Sequence, residues 1–284
     1  MDPFRSDLLV GKTVIISGGG TGLGRSMAIR MAGLGAKVAL LGRRPEPLSD
    51  TAGTIKSAGA QAAAIPCDIR DPAAVRAAFD RAEGELGPAN QLINNAAGNF
   101  LCPSEDLSDN AFDSVVRIVL YGSFHCTREL GRRLIERKQS GAILSIVTTY
   151  CTTGSAFVLP SAAAKAGVLA MTRPLAVEWA AYGIRLNAIA PGPFPTEGAF
   201  SRLLPGSELE KQAKRRIPSR RFGEHHELTN LVAYVMSDAS PYQTGDLVTI
   251  DGAEAIFSGQ QFAGFAHLDR AQAKQTMAAL RPKK

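Results

Sequence analysis

The sequence predicts a doubly wound α/β chain, a seven-stranded parallel sheet flanked by helices on both faces. Three observations predict it. Short runs rich in β-branched and apolar residues alternate with stretches of helical length almost to the end of the 284 residues. A glycine-rich turn joins the first such run to the first helical stretch, as doubly wound sheets require at their ligand edge. No internal repeat, low-complexity tract or linker interrupts the alternation, so residues 1–284 read as one domain that binds a dinucleotide and carries the chemistry.

Taken in order, the strand-like runs are Thr13 to Ser17, Lys37 to Leu41, a run near Ile65, one near Ile93, Ala142 to Val147, Ile184 to Ala190 and Leu247 to Ile250. They are near-continuously apolar, the pattern of strands buried on both faces. The clearest helical stretches between them are Leu23 to Leu34, Pro72 to Glu83 and Phe112 to Arg137, and "HLDRAQAKQTMAALRPKK" reads as a short terminal helix with a basic tail. One segment breaks the rhythm. After the sixth run comes "PGPFPTEGAFSRLLPGSELEKQAKRRIP", rich in Pro and Gly and placed beyond a strand's carboxyl end. Residues 193–222 are therefore expected to form a mobile lid over a substrate, the alternative being a plain surface insertion.

Hydrophobic residues make up 45% and charged residues 20%, the balance of an ordinary globular protein. No apolar run approaches the ~20 residues that span a bilayer, so no membrane association is expected. "MDPFRSDLLVGK" mixes both charge signs and fits neither a secretory signal nor a transit peptide, and the expectation is a cytoplasmic protein. Cys67, Cys102, Cys126 and Cys151 form no CxxC pair; they read as reduced thiols, and no metal site is expected. The net charge of +6 raises the question of nucleic acid, but the basic residues are dispersed and carry no nucleic-acid motif. Their tightest cluster, Lys211 to Arg221, reads either as a solvated helix face or as a docking patch for a polyanionic substrate tail.

"SGGGTGLG", residues 17–24, follows the first strand and opens the first helix. Small residues there let the backbone approach a pyrophosphate, whose charge rests on free N–H groups at the helix start. Gly18, Thr21, Gly22, Leu23 and Gly24 are the expected cofactor loop. The second strand ends in Gly42, Arg43 and Arg44, with no carboxylate to bond a ribose 2′-OH. Guanidinium groups pair well with phosphate, which points to NADPH. Asp68 and Ile69 are expected beside the adenine, with Asp68 as a helix cap the alternative. In "NNAAGNF", residues 94–100, the small residues let the cofactor lie close, two amides can knit neighbouring loops, and Asn99 points onward to the substrate side.

In combination, "SGGGTGLG", "NNAAG", Lys165 and "NAIAPGP" resemble the short-chain dehydrogenase/reductase family from about Gly11 to Ala253. The resemblance implies a Rossmann-type fold, a nicotinamide cofactor and often a tetramer. One position departs from it: Ser161 stands four residues before Lys165, where the family places a proton-donating tyrosine. The 2,4-dienoyl-CoA reductase branch shares that serine and takes its phenol from a tyrosine just after the fifth strand, here Tyr150 in "SIVTTYCTTGSAFVLPSAAAK". "PGPFPTEGAFSRL" and "RRIPSRRFG" also look like that branch, although Tyr121 replaces its asparagine before Gly122.

The resemblance implies that Lys165 holds the nicotinamide ribose, that Ser161 hydrogen-bonds and orients Lys165, and that Tyr150 and Asn99 donate to a thioester carbonyl. It places Asn95, Ala96, Gly98, Pro191, Gly192 and Thr196 along the cofactor. Phe100, Phe200, Arg216 and Arg221 are expected at the substrate, with Lys214 a further candidate for the phosphates of coenzyme A. The implied activity is NADPH-dependent reduction of 2,4-dienoyl-CoA to 3-enoyl-CoA by a homotetramer. Two alternatives stand beside it: a reductase of a carbonyl or another enoyl thioester, and a non-catalytic NADP(H)-binding protein. The last gains only from Ser161, and Ser161 also fits as a simple cap of the helix carrying Lys165.

Overall fold

The computed structural model describes residues 2–196, 207–257 and 269–279. The seven expected strands all form: β1 (Thr13–Ser17), β2 (Lys37–Gly42), β3 (Ala62–Pro66), β4 (Gln91–Asn94), β5 (Gly141–Ile146), β6 (Ile184–Pro191) and β7 (Leu247–Ile250). They make one sheet in the order β3-β2-β1-β4-β5-β6-β7, and every pair is parallel. The helices between them are α1 (Gly22–Gly33), α2 (Pro45–Ser57), α3 (Pro72–Leu86), α4 (Asp109–Val116), α5 (Gly122–Arg137), α6 (Tyr150–Thr153), α7 (Leu159–Trp179), α8 (Ser207–Arg216), α9 (His225–Met236), α10 (Glu254–Phe257) and α11 (Arg270–Ala279).

Period-two alternation along the strands divides the core between the two faces. In β1, Val14 and Ile16 pack with Met27 and Met31 of α1, Leu48 of α2 and Val232 of α9. Ile15, between them, joins Phe79 of α3 and Leu130 of α5 on the other face. These side chains are fully or almost fully buried, and each contributes roughly 1.5–3 kcal/mol relative to exposure. A third cluster, with Val119, Val168 and Ala188, sits under α7.

The strand order reverses direction at β1 and β4, so the connections leaving them run to opposite sides. That divergence opens a crevice above the carboxyl ends of the two strands. The register holds the strand ends level, with Ser17 opposite both Leu41 of β2 and Asn94 of β4. The long helix expected to end at Arg137 is interrupted: a π-helical turn, Arg117–Tyr121, joins α4 to α5. Such turns recur at functional sites because they redirect side chains by one position.

Candidate active site

The glycine loop after β1 is shaped by what cannot fit there. Gly18 has φ +67°, and a Cβ on it would lie 2.9 Å from the Ala96 Cα. A Cβ on Gly24 would lie 2.0 Å from the Gly18 carbonyl oxygen. Only glycine allows this packing of the α1 start against the loop after β4. Asn95 fastens the two loops: its Nδ2 donates to the Ser17 and Gly18 carbonyls, each at 3.1 Å. The Ser17 hydroxyl oxygen accepts from the Asn95 and Ala96 N–H groups at 3.0 and 3.1 Å.

Above this platform is a cleft of ≈ 640 Å³. Of the residues expected at a cofactor, Gly18, Thr21, Gly22, Leu23, Gly24, Arg43, Arg44, Asp68, Ile69, Asn95, Ala96 and Thr196 line it. The N–H groups of the first turn of α1 receive no cap from the Thr21 side chain, and that turn holds no acidic residue. Together with the glycine cradle, this fits the pyrophosphate of a dinucleotide. Arg43 and Arg44 are exposed at the β2 end of the cleft, and no salt bridge engages either among the described residues.

Gly98, Lys165, Pro191 and Gly192 fall outside this lining. Pro191 closes β6, and Gly192 packs so closely on Asp251 that an added Cβ would sit 2.7 Å from the Asp251 Cβ. The lining also contains Ile118 and Phe194, which sequence reasoning missed. Ile118 belongs to the π-helical turn, and no pattern of spacing announces that turn. Asp68 does not cap α3; Asp71 does, accepting from the Ala73 N–H at 2.8 Å. The Asp68 carboxylate instead accepts from Arg70, and that hydrogen bonding holds its pKa below the usual carboxylate range.

Three of the four residues expected at the reacting centre fall in one cluster, and Lys165 has a separate partner. The Tyr150 hydroxyl lies 3.2 Å from the Ser161 Oγ and 3.2 Å from the Asn99 Nδ2, which donates to it. Tyr150 begins the one-turn helix α6, Ser161 and Lys165 share a face of α7 one turn apart, and Asn99 follows β4. The Asn99 side chain is oriented by its own Oδ1, which accepts from the Phe100 N–H at 2.9 Å. Phe100 is partly buried against the cluster under α7.

Two implied roles for Ser161 need correction. It does not cap its helix: α7 starts at Leu159, so Ser161 lies inside the first turn. Nor is it the hydrogen-bond partner of Lys165. The Lys165 ammonium donates to the Ile146 carbonyl at the end of β5, and Ser161 is committed to the phenol. Lys165 is only 7% exposed, and burial pushes its pKa down to about 8.

The expected substrate residues are more scattered. Phe200 lies outside the described residues, as does the middle of the expected lid. Arg216 is exposed at the end of α8. Arg221 forms a two-pronged pair with Glu227 at 2.6 and 2.8 Å, and Lys214 pairs with Glu210 at 2.7 Å. Tyr121 is 51% exposed on the π-helical turn and does not line the cleft.

A parallel sheet in this order, a glycine cradle, and a phenol held on the same helix face that carries a buried lysine fit a nucleotide-dependent oxidoreductase. The sequence model of the family described as enoyl-(acyl carrier protein) reductase matches residues 18–253. The chain belongs to the short-chain dehydrogenase/reductase family. An uncharacterized oxidoreductase of Caenorhabditis elegans is 46% identical over 265 residues, 91% of this chain and 84% of that protein. A Bacillus subtilis protein named as a probable (2E)-enoyl-CoA-producing 2,4-dienoyl-CoA reductase is 42% identical over 244 residues, 86% of this chain and 96% of its own. Among solved structures, a gluconate 5-dehydrogenase from Burkholderia cenocepacia in complex with NADP and tartrate superposes with a TM-score of 0.83. It is 28% identical and covers 88% of this chain and 98% of its own. As a short-chain dehydrogenase/reductase, the protein is an oxidoreductase with a nicotinamide cofactor.

Proposed function

We propose that the protein reduces 2,4-dienoyl thioesters of coenzyme A with NADPH, yielding 3-enoyl-CoA in the breakdown of unsaturated acyl chains. The observation that carries this reading is the Tyr150 phenol held between Asn99 and Ser161. With Asn99 and the Ser161 hydroxyl both donating to the phenol oxygen, the Tyr150 O–H is free to point at a substrate carbonyl. Asn99 keeps a second amide hydrogen for the same oxygen.

Two such donors suit a conjugated thioester. A nicotinamide cofactor held in the cleft would supply hydride to C5, and the charge displaced through the diene would gather on the thioester oxygen. Stabilising that dienolate requires preorganised donors rather than a complete proton relay, and a single donor of this kind is worth roughly 3–4 kcal/mol. Protonation at C2 from water completes the reaction. Lys165 acts as an ammonium beside the nicotinamide ribose, and Arg43 and Arg44 receive the 2′-phosphate. The exposed Arg216 is assigned to the phosphates of coenzyme A, and residues 193–222 to a lid over the acyl chain. A cytoplasmic homotetramer of single-domain chains completes the proposal, supported by the thiol usage and by the family resemblance.

The deciding assay follows NADPH oxidation by the purified protein with a 2,4-dienoyl-CoA, a 2-enoyl-CoA and a 3-ketoacyl-CoA. Oxidation with the dienoyl thioester alone is expected, and NMR of the product places its double bond. Turnover of the ketoacyl substrate with silence on the diene would overturn the assignment.

The state of Lys165 adds a pH dependence. Its folded pKa of about 8 lies below the ordinary lysine value of 10.5, so the working ammonium is present below about 8 and lost above it. The kcat/KM for NADPH, which reports the free enzyme, is expected to be flat from neutral pH down to the onset of acid effects. Above about 8 it should fall, approaching tenfold per pH unit. A profile flat to pH 9.5 would remove the lysine charge from the mechanism. The same depression makes the buried ammonium a stability cost that is full below about 8 and relieved as pH rises towards 10.5. Lys165→Met is therefore expected to melt higher than the wild type at pH 7 while losing turnover.

A further inference from the structure

His225 is the first residue of α9, remote in sequence from the glycine loop, yet its ring bridges α1 to the strap that ends at Thr196, a residue of the cleft lining. On one side its Nδ1 lies 2.7 Å from the Ser26 Oγ, on the first turns of α1. On the other its Nε2 lies 2.6 Å from the Pro195 carbonyl oxygen. Pro195 belongs to the Pro193–Thr196 strap that leaves β6. The strap is fixed further back as well: the Pro193 carbonyl accepts from the Gly223 N–H at 3.0 Å, and the Phe194 ring packs so tightly on Gly223 that a Cβ there would meet it at 2.3 Å. His225 adds a contact at Pro195, one residue before Thr196. One residue beyond Pro195, Thr196 lies against the glycine loop, its Cγ2 3.3 Å from where a Cβ on Gly22 would stand.

We propose that His225 is a positioning residue for the cofactor: it ties the start of α1 to the strap and so sets Thr196 against the pyrophosphate end of the cleft. The proton arrangement is determined by the partners. The Pro195 carbonyl only accepts, so Nε2 carries the hydrogen. In the neutral ring Nδ1 is then bare and accepts from the Ser26 hydroxyl. The Ser26 Oγ also lies 3.3 Å from the Gly22 carbonyl oxygen, inside the loop that would hold the phosphates, so its single hydrogen is shared between that carbonyl and Nδ1. A shift of the ring therefore moves both walls of the cleft at once. The inference rests on the dinucleotide cleft and not on the dienoyl assignment.

The test compares NADPH with 2′,5′-ADP, which retains the adenine end but lacks the second bridging phosphate and the nicotinamide half. Calorimetry on the full chain is expected to show His225→Leu weakening NADPH about fivefold to tenfold, with 2′,5′-ADP changed by less than about twofold. His225→Gln, which keeps an N–H donor for Pro195, should recover most of the loss. Ser26→Ala should cost about threefold, and Ser26→Ala with His225→Leu should be no weaker than His225→Leu alone, because both remove one bridge. If the wild type binds NADH more tightly, the same comparison is made between NADH and 5′-AMP, so failure of the NADPH assignment leaves this test intact. Equal weakening of dinucleotide and fragment, or unchanged dinucleotide affinity in folded His225→Leu and Ser26→Ala, would overturn the proposal.

Discussion

Tyr150→Phe is expected to lower kcat on a dienoyl thioester by about a hundredfold or more while leaving NADPH affinity unchanged. The substitution removes one oxygen and keeps the ring that fills the start of α6. What is lost is a donor aimed at the thioester oxygen, and it is lost where charge develops, so the effect belongs in kcat more than in KM. Asn99 and Ser161 would remain, their hydrogens no longer gathered by the phenol oxygen at 3.2 Å from each. Residual activity is therefore expected, from Asn99 and from binding. Ser161→Ala should be milder, since Tyr150 would keep Asn99 as a partner. Steady-state kinetics with the dienoyl thioester and a direct measurement of NADPH binding separate the two quantities. Near-normal kcat in Tyr150→Phe would take the phenol out of the mechanism and return the protein to the ketoacyl or non-catalytic alternatives.

The strands were legible because burial on both faces of a parallel sheet demands apolar runs, and each such run in the sequence became a strand. The glycine loop was legible because no side chain fits where Gly18 and Gly24 stand. Capping was read less well. Asp68 and Asp71 both precede α3, and only the backbone path shows that Asp71 reaches the Ala73 N–H while Asp68 turns to Arg70. Serine favours helix starts, which suggested a cap, and the family resemblance implied Lys165 as the Ser161 partner; its partner is instead a phenol on another element. The Ile118 contribution depends on a π-helical turn whose extra residue leaves no periodic trace. The Ser26–His225–Pro195 bridge joins three distant segments, and local pattern carries no information about such a contact.

Replacing both Arg43 and Arg44 with Ala is expected to raise the KM for NADPH by roughly tenfold to a hundredfold, with the KM for NADH changed by less than about threefold. The asymmetry follows from position. Both side chains are exposed at the β2 end of the cleft, so in the free protein they support little of the fold. Arg44 occupies the N-cap position of α2 but gives it no side-chain cap, so its loss should leave that helix in place. What they offer is charge at the site where a 2′-phosphate would lie and a 2′-hydroxyl would not. Because that charge is exposed, its benefit should shrink with added salt, and the NADPH preference of the wild type should narrow as ionic strength rises. The variant should lose most of that salt dependence. Asp68 keeps its ion pair with Arg70 in either case and loses only the weaker field of Arg43. Equal increases in KM for the two dinucleotides would mean that the arginines support the cleft as a whole. The 2′-phosphate would then have to be read elsewhere, or not at all.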